Sequence, residues 1–324
     1  MLTQAKIDLI NSLDEIWPDV WGWLFLDEPL YEIIDCISPV GISEQEVINF
    51  RLYLESLNLF ELFEMAKADL LQGKPSPSLV VLRRWPGEEI LAVIKQLLQS
   101  SAEIDRLVAM RIVQDDRKEC GTLEFKNLIY KVLQSEHNED VITAAIYTLN
   151  NLWFRDCNDL IFRFADHPNQ NVRQAVAECV GGQDAPEAIA ITLKLLNDPS
   201  EVVRGWAAYL LALELFITGD EIENALISAV VNSTISREDK SVVILGLASR
   251  RNSKAPELII EALVDLPVCP AIFEAAEKMP RKEYLPELES LRKSYSFSDY
   301  HTQLLNDAIT AARTTLERGP TNEI

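Results

Sequence analysis

The sequence predicts an all-α fold, and three observations support this class. Only 11 glycines and 15 prolines occur among 324 residues, which leaves little turn chemistry for an all-β fold. In the middle of the chain, apolar residues recur at three- and four-residue spacing, which places them along one face of a helix. The same apolar pattern returns at a fixed interval of 31 residues, which is typical of a helical-repeat solenoid.

The repeat is clearest over residues 129–211, where three copies align. Polar turns separate the helices; their Asp, Asn and Ser side chains favour helix starts, and Pro suits the first turn. Each copy is therefore predicted to be a helix hairpin that buries its apolar face by stacking on its neighbours. Six aligned positions are apolar in every copy: Ile129/Leu160/Ile191, Leu133/Phe164/Leu195, Val141/Val172/Val203, Ala144/Ala175/Trp206, Ala145/Val176/Ala207 and Leu149/Val180/Leu211.

Two of the turns resemble HEAT repeats. Asp166-His-Pro-Asn-Gln-Asn-Val-Arg173 and Asn197-Asp-Pro-Ser-Glu-Val-Val-Arg204 both lead from an Asp/Pro turn into a Val-Arg pair. The resemblance implies a structural role for both arginines, which would pair with carbonyl groups of the turns or with acidic side chains. Asp166 and Asp198 are the acidic residues available for this pairing.

The resemblance also implies a right-handed α-α superhelix, that is, a HEAT-like solenoid, of about six or seven hairpins around residues 88–293. Fainter copies of the turn occur further out, at Asp105-Arg106 and at Asp239-Lys240. Three regions follow from this interpretation: an acidic, aromatic-rich helical cap over residues 1–78, repeats over residues 79–293, and a closing helix with a frayed tail over residues 294–324.

The predicted cap differs in composition from the repeats. Residues 1–71 contain 14 acidic and three basic residues, so about half of the net charge lies in this segment. Ser43 and Glu46 form a capping box that opens a long amphipathic stretch from Val47 to Leu71. A cap is expected because the first hairpin of an array must cover its open apolar edge.

Some aromatic residues of the cap are candidates for binding a partner. Most of the nine aromatic side chains in this segment are expected to be core, but several lie among carboxylates. Aromatic anchors ringed by carboxylates would suit a basic protein. The candidates are Trp17, Asp19, Trp21, Trp23, Asp27, Glu28 and Tyr31.

The charge balance narrows the class of partner. With 51 acidic and 30 basic residues the net charge is −21, which repels nucleic-acid phosphates and anionic lipid heads but attracts a basic protein. The alternative is that this acidity only keeps the protein soluble. Five dispersed cysteines and no apolar run of the roughly 18 residues that span a bilayer favour a reduced, cytoplasmic protein.

The sequence contains no recognisable catalytic motif, and we expect no cofactor and no metal site. His137 and His167 occupy similar turns near carboxylates, as in HEAT-like di-iron hydroxylases. That family carries His-Glu dyads, whereas Asn138 and Pro168 follow the histidines here, so exposed turn histidines are expected instead.

The leading hypothesis is a non-enzymatic scaffold that binds a protein through the concave face of the array and the acidic cap. Its concrete version is an acidic inhibitor or immunity-type protein that masks a basic partner. An adaptor or assembly chaperone would have the same sequence features. The enzymatic alternatives are a phycobilin lyase and a DNA glycosylase for alkylated bases; the segment Trp153 to Asp156 offers the aromatic and carboxylate groups of the latter.

Overall fold

A computed structural model describes residues 44–74, 76–114, 120–152, 158–180, 183–215, 217–265, 269–294 and 298–318. These residues form 17 α-helices, two short 3-10 segments and no strand, which confirms the all-α prediction. The chain divides into two compact units, Met1–Leu160 and Ile161–Ile324.

The described helices of the first unit are α1 (Glu44–Glu55), α2 (Leu59–Leu71), α3 (Pro77–Arg84), α4 (Glu88–Leu98), α5 (Glu103–Val113), α6 (Leu123–Ser135) and α7 (Glu139–Asn151). Hairpin α4–α5 and hairpin α6–α7 lie side by side, with α5 packed against α7 and α4 against α6. The fully buried hydroxyl of Thr148 on α7 donates to the carbonyl of Ala144 in the same helix at 2.7 Å and lies 3.4 Å from the carbonyl of Met110 on α5.

The amphipathic stretch predicted from Val47 to Leu71 is divided into α1 and α2. The side-chain oxygen of Asn58 accepts a hydrogen bond from the Glu61 N–H at 3.0 Å, and the Glu61 carboxylate accepts one from the Asn58 N–H at 2.9 Å. This reciprocal capping box satisfies two donors of the first turn and starts a new helix. The stretch therefore consists of two helices, which separate at Asn58.

The helices that follow are α8 (Asn158–Phe162, followed by a 3-10 turn at Arg163–Asp166), α9 (Gln170–Val180), α10 (Pro186–Leu195), α11 (Glu201–Leu213), α12 (Asp220–Val231), α13 (Arg237–Ser249), α14 (Ala255–Val264), α15 (Pro270–Lys278), α16 (Leu285–Ser294) and α17 (Asp299–Arg318). Helix α8 contains the division between the units, and α9 to α17 belong to the second unit. Helices α9, α11, α13, α15 and α17 pack on one another in that order. Helices α10, α12 and α14 each pack on the two helices next to them in the chain, and α16 packs on α17.

The aligned apolar positions on the second helix of each hairpin are the core. Val141, Val172 and Val203 are completely buried, and the other columns on these helices are buried as well, with one exception. Trp206 remains 37% exposed although its counterparts Ala144 and Ala175 are fully buried. The interval of 31 residues therefore identifies the core positions of these second helices, with Trp206 as the exception, whereas Phe164 and Ile191 of the first-helix columns are only half-buried.

Candidate functional site

Helix α11 carries an apolar stripe on its exposed side. Val202, Trp206, Tyr209 and Leu213 follow each other at spacings of four, three and four residues, so they lie on one face of the helix. Val202 is 50% exposed, Leu213 is 44% exposed and Tyr209 is half-buried. Stacking of the repeats leaves this stripe uncovered, which makes it a candidate for contact with another molecule.

Two glycines let α11 and α13 approach closely beside this stripe. A Cβ atom on Gly246 would lie 2.5 Å from the carbonyl oxygen of Ala212, and a Cβ on Gly205 would press on a carboxylate oxygen of Asp239. The first contact is with the backbone, so glycine is required at position 246, whereas the Asp239 side chain could move to admit a Cβ at position 205. The close approach brings Asp239 to the edge of the stripe.

The stripe and the start of α13 enclose an open cleft of about 560 Å³. Its aromatic wall is the pair Trp206 and Tyr209, whose ring centroids are 5.8 Å apart at 75°, an edge-to-face arrangement. We call this the aromatic cleft; it is lined by Glu201, Val202, Trp206, Tyr209, Ser236 and Asp239.

Two carboxylates belong to the aromatic cleft. The Ser236 hydroxyl donates to the Asp239 carboxylate at 2.7 Å, and the same Ser236 oxygen accepts a hydrogen bond from the Asp239 N–H. One hydrogen bond therefore orients the Asp239 carboxylate in the first turn of α13. Within the described part of the chain, the Glu201 carboxylate has no hydrogen-bond or ion-pair partner. The cleft therefore presents apolar, aromatic and anionic groups together.

The segment that contains the cleft is strongly acidic. Between Glu201 and Asp239 there are seven acidic residues and two basic ones, Arg204 and Arg237. Arg204 donates to backbone carbonyls, and Arg237 pairs with Asp265 at 3.0 Å. Both cations are thus engaged within the fold, and the local field at the cleft is negative.

The first predicted turn arginine, Arg173, is buried beside a carboxylate of the following turn. It donates two hydrogen bonds to Asp198, at 2.7 and 2.9 Å, and two more to the carbonyls of His167 and Pro168. The hydrogen bonds to Asp198 raise the pKa of Arg173. Burial opposes ionisation of Asp198, but the hydrogen bonds from Arg173 and from the Ser200 N–H bring its pKa below the usual aspartate value.

Arg204 contacts its turns through a different partner. Its guanidinium donates to the carbonyls of Asp198 and Pro199, which occupy the same positions in this turn as the carbonyls that Arg173 contacts in the preceding one. Its contact with the following turn is the carbonyl of Thr234. Asp166 contacts neither arginine by a hydrogen bond among the described residues and pairs with Lys194 at the surface. These contacts support the structural role, which stays a prediction until substitution tests it.

The fainter copies show a similar arrangement. In the first unit, Arg106 donates to the carbonyl of Ser100 and pairs with Glu136 of the next turn at 2.6 Å. Among the described residues of the second unit, Lys240 hydrogen-bonds only within its own turn, to the hydroxyl of Ser233. A cation that joins its own turn to the following one through an ion pair is Arg106 in the first unit and Arg173 in the second.

Sequence reasoning missed Arg250, which closes the end of α11. Its guanidinium donates to the carbonyls of Leu211, Ala212 and Glu214, groups that a helix C-terminus leaves without partners. Burial lowers the pKa of Arg250. No local sequence pattern signals this contact, because it joins residues 36–39 positions apart.

The other predicted sites are placed as follows. The cap candidates Trp17, Asp19, Trp21, Trp23, Asp27, Glu28 and Tyr31, and the segment Trp153 to Asp156, lie outside the described residues. His167 is half-buried, and its Nδ1 accepts the Asn169 N–H at 3.2 Å. In the described residues no group of three or more His, Cys, Asp and Glu side chains is placed to hold a metal ion. None of the described helices combines the length and apolarity that crossing a bilayer requires.

Comparison with known proteins identifies the repeats. Residues 127–212 match the family of HEAT repeats. The protein YibA of Escherichia coli K12 is 28% identical over 148 residues, which are 46% of this chain and 49% of YibA, and YibA of strain O157:H7 matches equally. The chain thus spans about half the length of the curated relatives it matches. An X-ray structure of E. coli YibA superposes with a TM-score of 0.66 at 20% identity, over 83% of this chain and 97% of that one. The family match confirms the HEAT repeats that were predicted in the middle of the chain, and the structural likeness confirms the helical-repeat fold.

Proposed function

We propose that this HEAT-repeat protein is a non-enzymatic, protein-binding scaffold that masks a basic partner, in the manner of an acidic inhibitor or an immunity-type protein. The observation that carries the proposal is the aromatic cleft. A half-exposed tryptophan, a tyrosine and two carboxylates meet there, within a segment that has seven acidic residues and two basic ones.

The physical argument has two parts. Large aromatic side chains supply most of the binding energy at protein interfaces, because they bury much surface at little conformational cost. Carboxylates around such anchors select a basic partner and speed its approach, since the net charge of −21 attracts cations over about a Debye length. A basic site that binds phosphates is masked when carboxylates occupy it.

The test is affinity capture with the full chain, followed by biochemistry on the captured protein. The immobilised chain is exposed to lysate of its own host at low salt, and bound proteins are eluted by stepwise NaCl. We expect a strongly basic protein whose affinity falls steadily as NaCl rises and whose activity is reduced by the chain. An unrelated protein of similar size and charge is immobilised in parallel, and proteins that it also captures are attributed to charge alone.

Two outcomes of the affinity capture would contradict the proposal. Recovery of only acidic partners would contradict the charge argument. An affinity that does not change with NaCl would show that the partner is recognised through contacts other than the carboxylates. Either result would leave the HEAT-repeat scaffold in place and remove the basic partner.

A further inference from the structure

We propose that the aromatic cleft is an anchor pocket for one arginine side chain of the basic partner. The guanidinium would stack against the indole of Trp206 and pair with Glu201 and Asp239. This inference rests on the proposed function, since it names the group through which the basic partner is held.

The first argument is the residue at the repeat position. Ala144 and Ala175 occupy the equivalent position in the two preceding copies, and both are completely buried. Stacking of those two copies uses a small side chain at this position, so the repeat itself does not require tryptophan. Trp206 instead projects from the helix and keeps 37% of its surface in water. A large aromatic group that the core does not use is typical of a binding anchor.

The second argument is the chemistry of the cleft. A planar guanidinium stacks on an aromatic face and donates in a fork to carboxylates, and the cleft offers both kinds of group. The Glu201 carboxylate has no partner among the described residues, and Asp239 is hydrogen-bonded only to Ser236 there. These carboxylates are available to a cation from outside.

The third argument is that the two arginines of the segment from Glu201 to Asp239 contact groups outside the cleft. Arg204 lies on the same helix but donates to the carbonyls of Asp198, Pro199 and Thr234. Arg237, at the start of α13, pairs with Asp265. At about 560 Å³ the cleft falls within the range of ligand sites, so a side chain and part of its backbone can enter.

The experiment uses the full chain and three labelled peptides: hexa-arginine, hexalysine and the uncharged hexacitrulline. Fluorescence anisotropy measures their dissociation constants at low and moderate NaCl. We expect hexa-arginine to bind more tightly than hexalysine and hexacitrulline not to bind. Trp206→Ala should weaken hexa-arginine binding roughly 2- to 30-fold and remove the preference for arginine over lysine. Trp206→Phe keeps an aromatic face and should retain part of the affinity.

Matched controls separate the cleft from general attraction. Phe60→Ala removes an aromatic side chain that is 72% exposed in the other unit and should change nothing. Glu201→Gln and Glu221→Gln each remove one exposed carboxylate from the first turn of a helix, α11 and α12. Only Glu201→Gln should weaken hexa-arginine more than hexalysine. Circular dichroism melting confirms that each variant is folded.

The outcomes distinguish the two proposals. If basic peptides bind with salt dependence but Trp206→Ala acts no differently from Phe60→Ala, the anchor is wrong and the proposed function survives. If neither the basic peptides nor any basic host protein binds, both fail. If Trp206→Ala converts a self-associated chain to a monomer in sedimentation velocity, the stripe is occupied by a second copy, and the arginine anchor is wrong.

Discussion

Helices α9 and α11 occupy the same place in consecutive repeats and differ mainly on their exposed sides. Inside, Val172, Val176 and Val180 of α9 correspond to Val203, Ala207 and Leu211 of α11, and all six are fully buried. Outside, α9 presents Asn171, Gln174 and Glu178, whereas α11 presents Val202, Trp206, Tyr209 and Leu213. Stacking thus constrains one side of the helix, and the other side is free to carry function.

The turns before these two helices differ in a second way. Arg173 is paired with the buried carboxylate of Asp198, whereas the corresponding Arg204 donates to backbone carbonyls only. The first turn depends on an ion pair and the second on neutral acceptors. Four predictions test how far this difference and the difference in exposed faces extend.

The largest effect is expected for Arg173→Ala. The substitution leaves the carboxylate of Asp198 buried without its partner, so the free energy of unfolding should fall by about 3–5 kcal/mol. Arg204→Ala should cost about 1–3 kcal/mol, because only carbonyl acceptors lose their donor. Urea titration followed by helical circular dichroism measures both. Lys194→Ala, which breaks an exposed pair with Asp166, is the control and should change stability by less than about 1 kcal/mol. Equal losses for all three would contradict the distinction.

Gly246→Ala is expected to have the next largest effect. The new Cβ would press on the carbonyl oxygen of Ala212, a backbone atom, so α11 and α13 must separate at a cost of about 1–3 kcal/mol. Gly205→Ala meets only the end of the Asp239 side chain, which can rotate, and should cost less. Thermal melting compares the two, and a larger loss for Gly205→Ala would show that Asp239 is held rigidly.

Acidification should weaken the contact that joins the two turns, because Arg173 of the first turn pairs with Asp198 of the second. The pKa of Asp198 is lower in the folded than in the unfolded chain, because its bonds to Arg173 and the Ser200 N–H outweigh burial. Its contribution is therefore fully present above the unfolded value of 3.8 and is lost as pH falls through the folded pKa. Unfolding measured from pH 6 to about pH 2.5 should show a smaller acid loss in Asp198→Asn than in the native sequence. An identical pH profile in the two proteins would show that Asp198 does not contribute to the pH dependence of stability.

Trp206→Ala is expected to affect binding more than stability. The indole keeps 37% of its surface in water, so its loss, including the edge-to-face contact with Tyr209, should cost less than the about 3–5 kcal/mol of a fully buried tryptophan. Chemical denaturation should therefore show a loss below about 3 kcal/mol, together with a clear loss of hexa-arginine binding. A loss as large as that of Arg173→Ala would mean that Trp206 is part of the core after all.

Most of the fold could be predicted because the same local sequence pattern recurs in several copies. The aligned columns and the Val-Arg turns are local patterns, and every copy repeats the same packing problem, so three copies identify the hairpin and its buried side. The division of residues 47–71 into two helices depends on the capping box of Asn58 and Glu61. The free-energy difference between starting a new helix there and continuing the first one is small, so the sequence pattern did not identify the break. The aromatic cleft could not be predicted, since Trp206 matches the apolar column in type while departing from it in size.

The sequence by itself determined the fold class, the repeat and its core columns, and the presence of a cation in the repeated turns. It did so because helix spacing and stacking impose residue types at fixed intervals. Only the tertiary structure decided which acidic group Arg173 pairs with, how Arg250 closes α11, and which face of α11 stays exposed. The last two depend on the approach of α11 to α13 at Gly205 and Gly246, a contact between residues about 34 positions apart, and the first on a contact 25 positions apart; no local pattern encodes either.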